Sequence, residues 1–316
     1  EFFMNVLRLR EKHEMAIFEV GINSRGEMAR IVDVLRPTSS VITYIGHSHM
    51  EGLGSLNDIA MEKRDIFKYF TEKNIGIING DQLLLANASY PYPVIKFGSK
   101  TTNQIQARKV RISGSHISFV LKIYKEKYPI VLKQSHVGFV SNALAATAIT
   151  HLLGISNDTI VKALQMPFVV TGRFQERPML NARGVLIDDC YNANPESMKA
   201  ALLAFQHIET KSQKIAVLGD MLELGVNSPF WHRQLGRFLR KVPSLNHVIL
   251  VGSMVQWTKR AAPGNVGIEI VPTWQEAIDR LERHLTHKDS VVLVKASNGV
   301  GLNNLVKKFT PTQTQQ

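Results

Sequence analysis

Strand-like apolar runs alternate with helical patterns along nearly all of this 316-residue chain, and that alternation restricts the fold more than any other feature. The run at 16–20 is apolar, suits a strand and ends at Gly21. A helical pattern over 27–35 stops before Pro37, because proline disfavours the α conformation in the residue ahead of it. A second strand at 41–45 is closed by Gly46, a long helix spans 56–73, and a short buried strand at 75–78 ends in Asn79-Gly80. This β-α-β-α-β order predicts a parallel sheet with helices on its faces.

From 94 to 132 the texture changes. Residues 105–112, 117–124 and 128–132 alternate apolar and polar side chains, the signature of half-exposed antiparallel strands. An alanine-rich helix at 142–153 and a short one at 157–165 follow, and 167–178 reads as a linker. Alternation then resumes, with strands predicted at 185–188, 215–218, 248–251, 268–271 and 291–294, and helices at 195–206, 229–241, 254–261, 274–285 and 302–309. The expected class is α/β, with two α/β domains: 1–170, carrying the antiparallel insert, and 171–316. At about 150 residues per domain the length agrees.

A composition 44% hydrophobic and 20% charged rules out disorder and fibrous repeats. Cys190 is the only cysteine, which excludes an internal disulfide framework and a cysteine-rich zinc site and favours a reducing compartment. No apolar stretch approaches the ~18 residues of a membrane span, and no secretory leader pattern opens the chain. The first residue is Glu1 rather than methionine, so a fragment of a longer protein is expected. Lysine and arginine number 38 against 26 acidic residues, a net +12 that favours polyanionic partners. The basic residues are scattered with no run of five, so a solvated surface is the plainer reading and an anionic small molecule the next.

In open α/β sheets, ligands bind beyond the carboxyl ends of the strands. The candidates there are Glu19, the cluster His47-Ser48-His49 and Asn79-Gly80-Asp81. A carboxylate ending an apolar strand costs desolvation unless a cation answers it, and carboxylate plus imidazole suits a divalent metal. The plainer alternatives are a glutamate capping a neighbouring helix and histidines bonded to loop carbonyls. Further on, Asp188-Asp189 precedes Asn194-Pro195, which opens a helix and offers amide donors beside carboxylates. Gly219-Asp220 and Lys295-Ala296-Ser297 repeat a polar tip after a strand. Neither a Gly-x-x-x-x-Gly-Lys-Thr/Ser phosphate loop nor a Gly-x-Gly-x-x-Gly fingerprint after a strand is present.

Several strings, in order, resemble the Mur ligase family: FEVGINSRGE at 18–27, ITYIGHSHMEGLGS at 42–55, IAMEKRDI at 59–66, NALAATA at 142–148, GRF at 172–174, IDDCYNANPESM at 187–198, VLGDMLELG at 217–225 and LVKASNGVGL at 293–302. The resemblance implies a truncated central ATPase-type domain followed by a Rossmann-like C-terminal domain. It implies an ATP- and Mg²⁺-dependent amide ligase that activates a carboxylate as an acyl phosphate. The substrates it implies are UDP-N-acetylmuramoyl-tripeptide and D-alanyl-D-alanine, in peptidoglycan precursor synthesis. By resemblance Glu19, His49 and Lys63 match magnesium ligands, Lys63 as a carbamate, and Lys63, His49 and Arg173 the catalytic set. Asp189, Asn194, Asn142 and Asn79 match nucleotide contacts, with Asp189 on the ribose, and Asp220, Glu223, Lys295 and Ser297 substrate contacts. A cytoplasmic monomer with neither nucleic-acid partner nor stable membrane anchor is expected. The family's UDP-sugar-binding domain and phosphate loop have no counterpart in these residues. Gly138-Phe139, Tyr44 and Asn298 replace the family's His-Asn, Asn and Arg, which keeps a second reading open: a non-catalytic or degenerate Mur-ligase-like binding module.

Overall fold

The computed structural model describes residues 2–182, 184–210, 212–286 and 288–311, so the end of the polar tail, 312–316, lies outside the described residues. Two six-stranded sheets form. The first holds β1 (Ser39–Ile42), β2 (Ile75–Asn79), β3 (Val94–Gly98), β4 (Ile105–Ser113), β5 (His116–Ile123) and β6 (Glu126–Leu132), ordered as in the sequence. It is parallel from β1 to β4 and antiparallel from β4 to β6. The second holds β7 (Gln175–Pro178), β8 (Gly184–Asp188), β9 (Lys214–Gly219), β10 (His247–Val251), β11 (Gly267–Val271) and β12 (Ser290–Lys295) in the order β11-β10-β9-β12-β8-β7. All its pairings are parallel except that of the edge strand β7.

Burial explains the two textures. Every residue of the central strands β9 and β12 is buried, as a sheet covered by helices on both faces requires. In β5 buried and more accessible residues alternate, so one face joins the core cluster that holds Phe139, Val140 and Leu144 of the helix Gly138–Leu152 and the other meets solvent. Helix starts follow local chemistry. Ser55 and Asp58 form a reciprocal capping box on Leu56–Arg64, and Asn194 with Ser197 does the same for Pro195–Gln206.

Three expectations fail locally. Residues 16–20 form no strand: among the described residues neither sheet pairs with them, and Ile17 is 90% exposed. The long helix ends at Arg64 and tightens into a 3₁₀ turn, Asp65–Phe67, which drives Phe67 and Phe70 into the core beneath Tyr90 and Tyr92. The linker 167–178 ends in β7, whose backbone completes the second sheet.

Candidate active site between the two sheets

The extended segment before the helix Glu27–Leu35 and the loop after β1 face one cavity of about 1090 Å³, lined by Glu19 and His49 and, from the far side of the seam, by Tyr191. Glu19 is exposed and has no ion-pair partner among the described residues. The floor is rigid because the buried Glu62 carboxylate accepts from the amides of Gly26 and Met28, both at 2.8 Å, and so satisfies the start of that helix. His49 takes a left-handed backbone (φ 63°) ahead of the short helix Met50–Leu53. Its Nδ1 lies 2.8 Å from Glu223 Oε2 without the alignment of a hydrogen bond, so the contact is electrostatic.

Arg173 is exposed, with its guanidinium 4.1 Å from the centre of the Tyr191 ring, a cation–π contact that holds it at the cavity rim. Lys63 is not brought in. It sits in the last turn of Leu56–Arg64, its Nζ donates to the Tyr44 carbonyl at 2.9 Å, and burial pushes its ammonium below the usual lysine range. Among the described residues no group of three or more His, Cys, Asp and Glu could hold a metal. The donor set still suits one hard cation. Magnesium typically takes only one or two protein carboxylates and fills its other positions with water and phosphate oxygens, and Glu19 is uncommitted.

Loops distant in sequence close the seam above the cavity. His47 Nδ1 pairs with Glu196 Oε1 while the His47 ring packs on Trp231 at 4.1 Å between centroids. Asn194 Nδ2 donates to Ser48 Oγ at 2.8 Å, and the Glu51 amide donates to the Glu223 carbonyl at 3.1 Å. Asn194 and Glu223 therefore bind across the seam, and Asn142 stands exposed on its helix.

The other candidates are turned inward. Asn79 donates to the Thr43 carbonyl and accepts from the Asp81 amide, bracing the strand-end loops. Asp189 is buried, pairs with Lys295 Nζ at 2.8 Å and accepts from the Phe174 amide at 3.1 Å. Asp220 accepts from the amides of Ser253, Met254 and Val255, and Ser297 Oγ links Leu222 to Ala193. Against the expectation of ribose and substrate contacts, Asp189, Asp220, Lys295 and Ser297 are committed to internal bonds in this structure. A polar residue at a strand tip looks the same in sequence whether it faces a ligand or its neighbour.

The profile described as Mur ligase middle domain matches residues 3–150, and that described as Mur ligase, glutamate ligase domain, matches 172–298. The chain belongs to the Mur ligase family. The UDP-N-acetylmuramoyl-tripeptide--D-alanyl-D-alanine ligases of Bacillus subtilis and Escherichia coli are 32% and 29% identical to it, over 96% and 98% of this chain. The chain spans about two thirds of those relatives, 66% and 68% of their lengths. A crystal structure of MurF from Acinetobacter baumannii superposes with a TM-score of 0.87 at 26% identity, covering 97% of this chain and 67% of that one. MurF ligase from Thermotoga maritima in complex with ADP shares the fold, with a TM-score of 0.78 at 23% identity, over 90% of this chain and 64% of that one.

Sequence reasoning passed over three Mur ligase residues that shape the cavity and seam. Tyr191 stood inside a motif string as an exposed aromatic, a readable signal. Glu196 looked like an ordinary first-turn acid, and Trp231 like part of an amphipathic stripe; nothing local marked either.

Proposed function

We propose that the protein is the ATP-dependent ligase that joins D-alanyl-D-alanine to UDP-N-acetylmuramoyl-tripeptide, acting in the cytoplasm as a monomer, with its boundary between domains after residue 170. The observation that carries this reading is the convergence of Glu19, His49 and, through Tyr191, Arg173 on one cavity whose lining comes mainly from residues 5–31, with Tyr191 from the loop after β8. A carboxylate is a poor electrophile and must be activated before an amine can displace oxygen from it. The relatives' names state the amide formed, and ADP in the Thermotoga maritima complex supports ATP as the activator.

Glu19 and His49 would hold magnesium, which when bound supplies positive charge against the phosphoryl oxygens. Arg173 adds charge by swinging from the Tyr191 face toward transferred phosphate. Lys63, its ammonium weakened by burial, has more free amine at neutral pH than an exposed lysine. That amine attacks carbon dioxide, forming an N–C bond and releasing a proton, and the carbamate exchanges a cation for an oxygen donor. The seam contacts at His47, Ser48 and His49 limit the entry of water while an acyl phosphate exists.

The second reading, a non-catalytic module, is favoured by the internal commitment of Asp189, Asp220, Lys295 and Ser297. Phosphate release from ATP by the full gene product, measured with both substrates and with each omitted, separates the two. Release that requires both substrates supports the ligase. Nucleotide binding without release supports the module.

A further inference from the structure

The basic residues form no run, yet most of the net positive charge falls in one stretch. Residues 94–133 carry nine lysines and arginines against one glutamate, a net +8 of the chain's +12. That stretch is β3 to β6, and the fold gathers its basic side chains on the meander's outer face. Register places Arg108 opposite Val120 and Val120 opposite Pro129; Arg111 opposite Ser118 and Ser118 opposite Val131; and Lys122 directly opposite Lys127. The bulge between Arg108 and Arg111 exposes Lys109 and Val110 as well. The opposite face, Ile117, Phe119, Leu121 and Ile123, is core.

None of Arg108, Lys109, Arg111, Lys122, Lys125, Lys127 and Lys133 has a carboxylate partner among the described residues. Like charges directly opposite on a sheet are destabilising, so the Lys122–Lys127 pair is a cost that stability does not explain. Between the cations stand exposed apolar side chains: Val110, Val131 and, at the turn, Tyr124. Aliphatic residues interleaved with lysine and arginine on a pleated face match the boundary of an anionic bilayer, with phosphates outside and acyl chains beneath. A nucleic-acid strand would call for aromatic stacking platforms, and Tyr124 alone is an exposed aromatic of this segment.

We propose that the outer face of β4–β6 is a reversible docking surface for anionic phospholipid bilayers. It lies at the sheet edge opposite β1, away from the cavity of Glu19 and His49, so docking leaves the site open to soluble substrates. Each basic side chain brought to an anionic surface raises partitioning about five-fold.

The test is co-sedimentation of the full gene product with phosphatidylglycerol–phosphatidylcholine vesicles and with pure phosphatidylcholine vesicles. Binding is expected to the anionic vesicles only, and to collapse when salt rises from about 0.1 M to about 1 M and the Debye length falls from about 10 Å to about 3 Å. The variant Arg108→Gln/Arg111→Gln/Lys122→Gln/Lys127→Gln should bind about 600-fold more weakly, with unchanged phosphate release. A control of the same net charge, Lys259→Gln/Arg260→Gln/Lys307→Gln/Lys308→Gln, should bind as wild type. Should the quadruple variant fail to fold, Lys122→Gln/Lys127→Gln removes a repulsive pair and should still weaken binding about 25-fold. Equal binding to neutral vesicles, no binding to anionic ones, equal loss in the control, or an RNA strand that displaces vesicles from this face would each overturn the proposal.

Discussion

At the residue scale the strongest constraints fall on groups whose protonation the fold has fixed. His232 is fully buried; its Nδ1 donates to the Ser228 carbonyl at 2.9 Å and its Nε2 accepts from the Met221 amide at 3.2 Å. Both nitrogens of a neutral ring are thereby satisfied, and burial holds the pKa below the usual 6.5, with Asp220 opposing in part. The unfolded chain therefore binds this proton more readily. Stability is complete above pH 6.5 and falls as pH drops through it, by at most about 1.4 kcal/mol per pH unit for this group. Thermal melts should show lower Tm at about pH 5.5 than at about pH 7.5, with a shallower slope in His232→Gln; an equal slope in the variant would exonerate this ring. His136 and His247 are depressed by burial too, so some slope should persist. Glu19 is the opposite case, exposed and unpaired, so Glu19→Gln should change stability by less than about 0.5 kcal/mol yet cut phosphate release about 100-fold or more. Glu19 and His49 drew notice in the sequence as a carboxylate and an imidazole beside expected strand ends; the structure places both on one cavity although residues 16–20 form no strand. The pairing of Asp189 with Lys295 was not legible, because only packing decides whether such tips point outward or into each other.

At the element scale the sequence was most readable where burial is uniform or strictly alternating. The strands β8 to β12 and the meander β4–β6 fall where the patterns put them, within a residue or two. The failures lie where hydrogen-bond supply rather than hydropathy decides. Residues 16–20 have strand composition but join neither sheet among the described residues, and the helix beginning at Leu56 is cut short by a change of direction that buries two phenylalanines. Close helix packing is equally silent in sequence. A Cβ built on Gly236 would stand 2.2 Å from the Thr258 carbonyl, where Ser228–Phe238 meets Gln256–Ala261. Alanine gains up to about 1 kcal/mol of helix propensity over glycine. The clash with backbone outweighs it, so Gly236→Ala should lose about 1–3 kcal/mol. Urea titration should show a lower midpoint with an unchanged slope, and an unchanged midpoint would mean the two helices part at no cost.

At the scale of the whole molecule, the decisive contacts join residues 146 to 174 positions apart, and no local pattern announces them. One continuous apolar cluster runs from the meander through Phe139 and Phe174 into the second sheet, which makes that end of the seam a packed joint. Phe174 holds a left-handed backbone (φ 51°) there while its side chain stays buried. The far end is different: it is held by His47–Glu196, Ser48–Asn194 and His49–Glu223, partly wet contacts between charged or polar groups. Such pairs contribute about 1 kcal/mol or less each, whereas the buried joint draws on a full hydrophobic core. The asymmetry fixes how the molecule should open: hinged at Phe174, with the gap appearing at His47. Glu196→Ala/Glu223→Ala removes the two carboxylate ties, leaving Ser48–Asn194 and the backbone bond from Glu51 to Glu223, and should favour the open form by about 1.4 kcal/mol, a ten-fold shift in the ratio of open to closed molecules. Small-angle scattering should register a larger radius of gyration, and more so at low salt, where the wild-type ties are strongest. Melting temperature should barely move, because both cores and the Phe139–Phe174 joint stay intact. A variant that scatters like wild type would show that apolar packing alone holds the seam closed. A large fall in Tm with no change in scattering would mean that Glu196 stabilises its own helix rather than the closure.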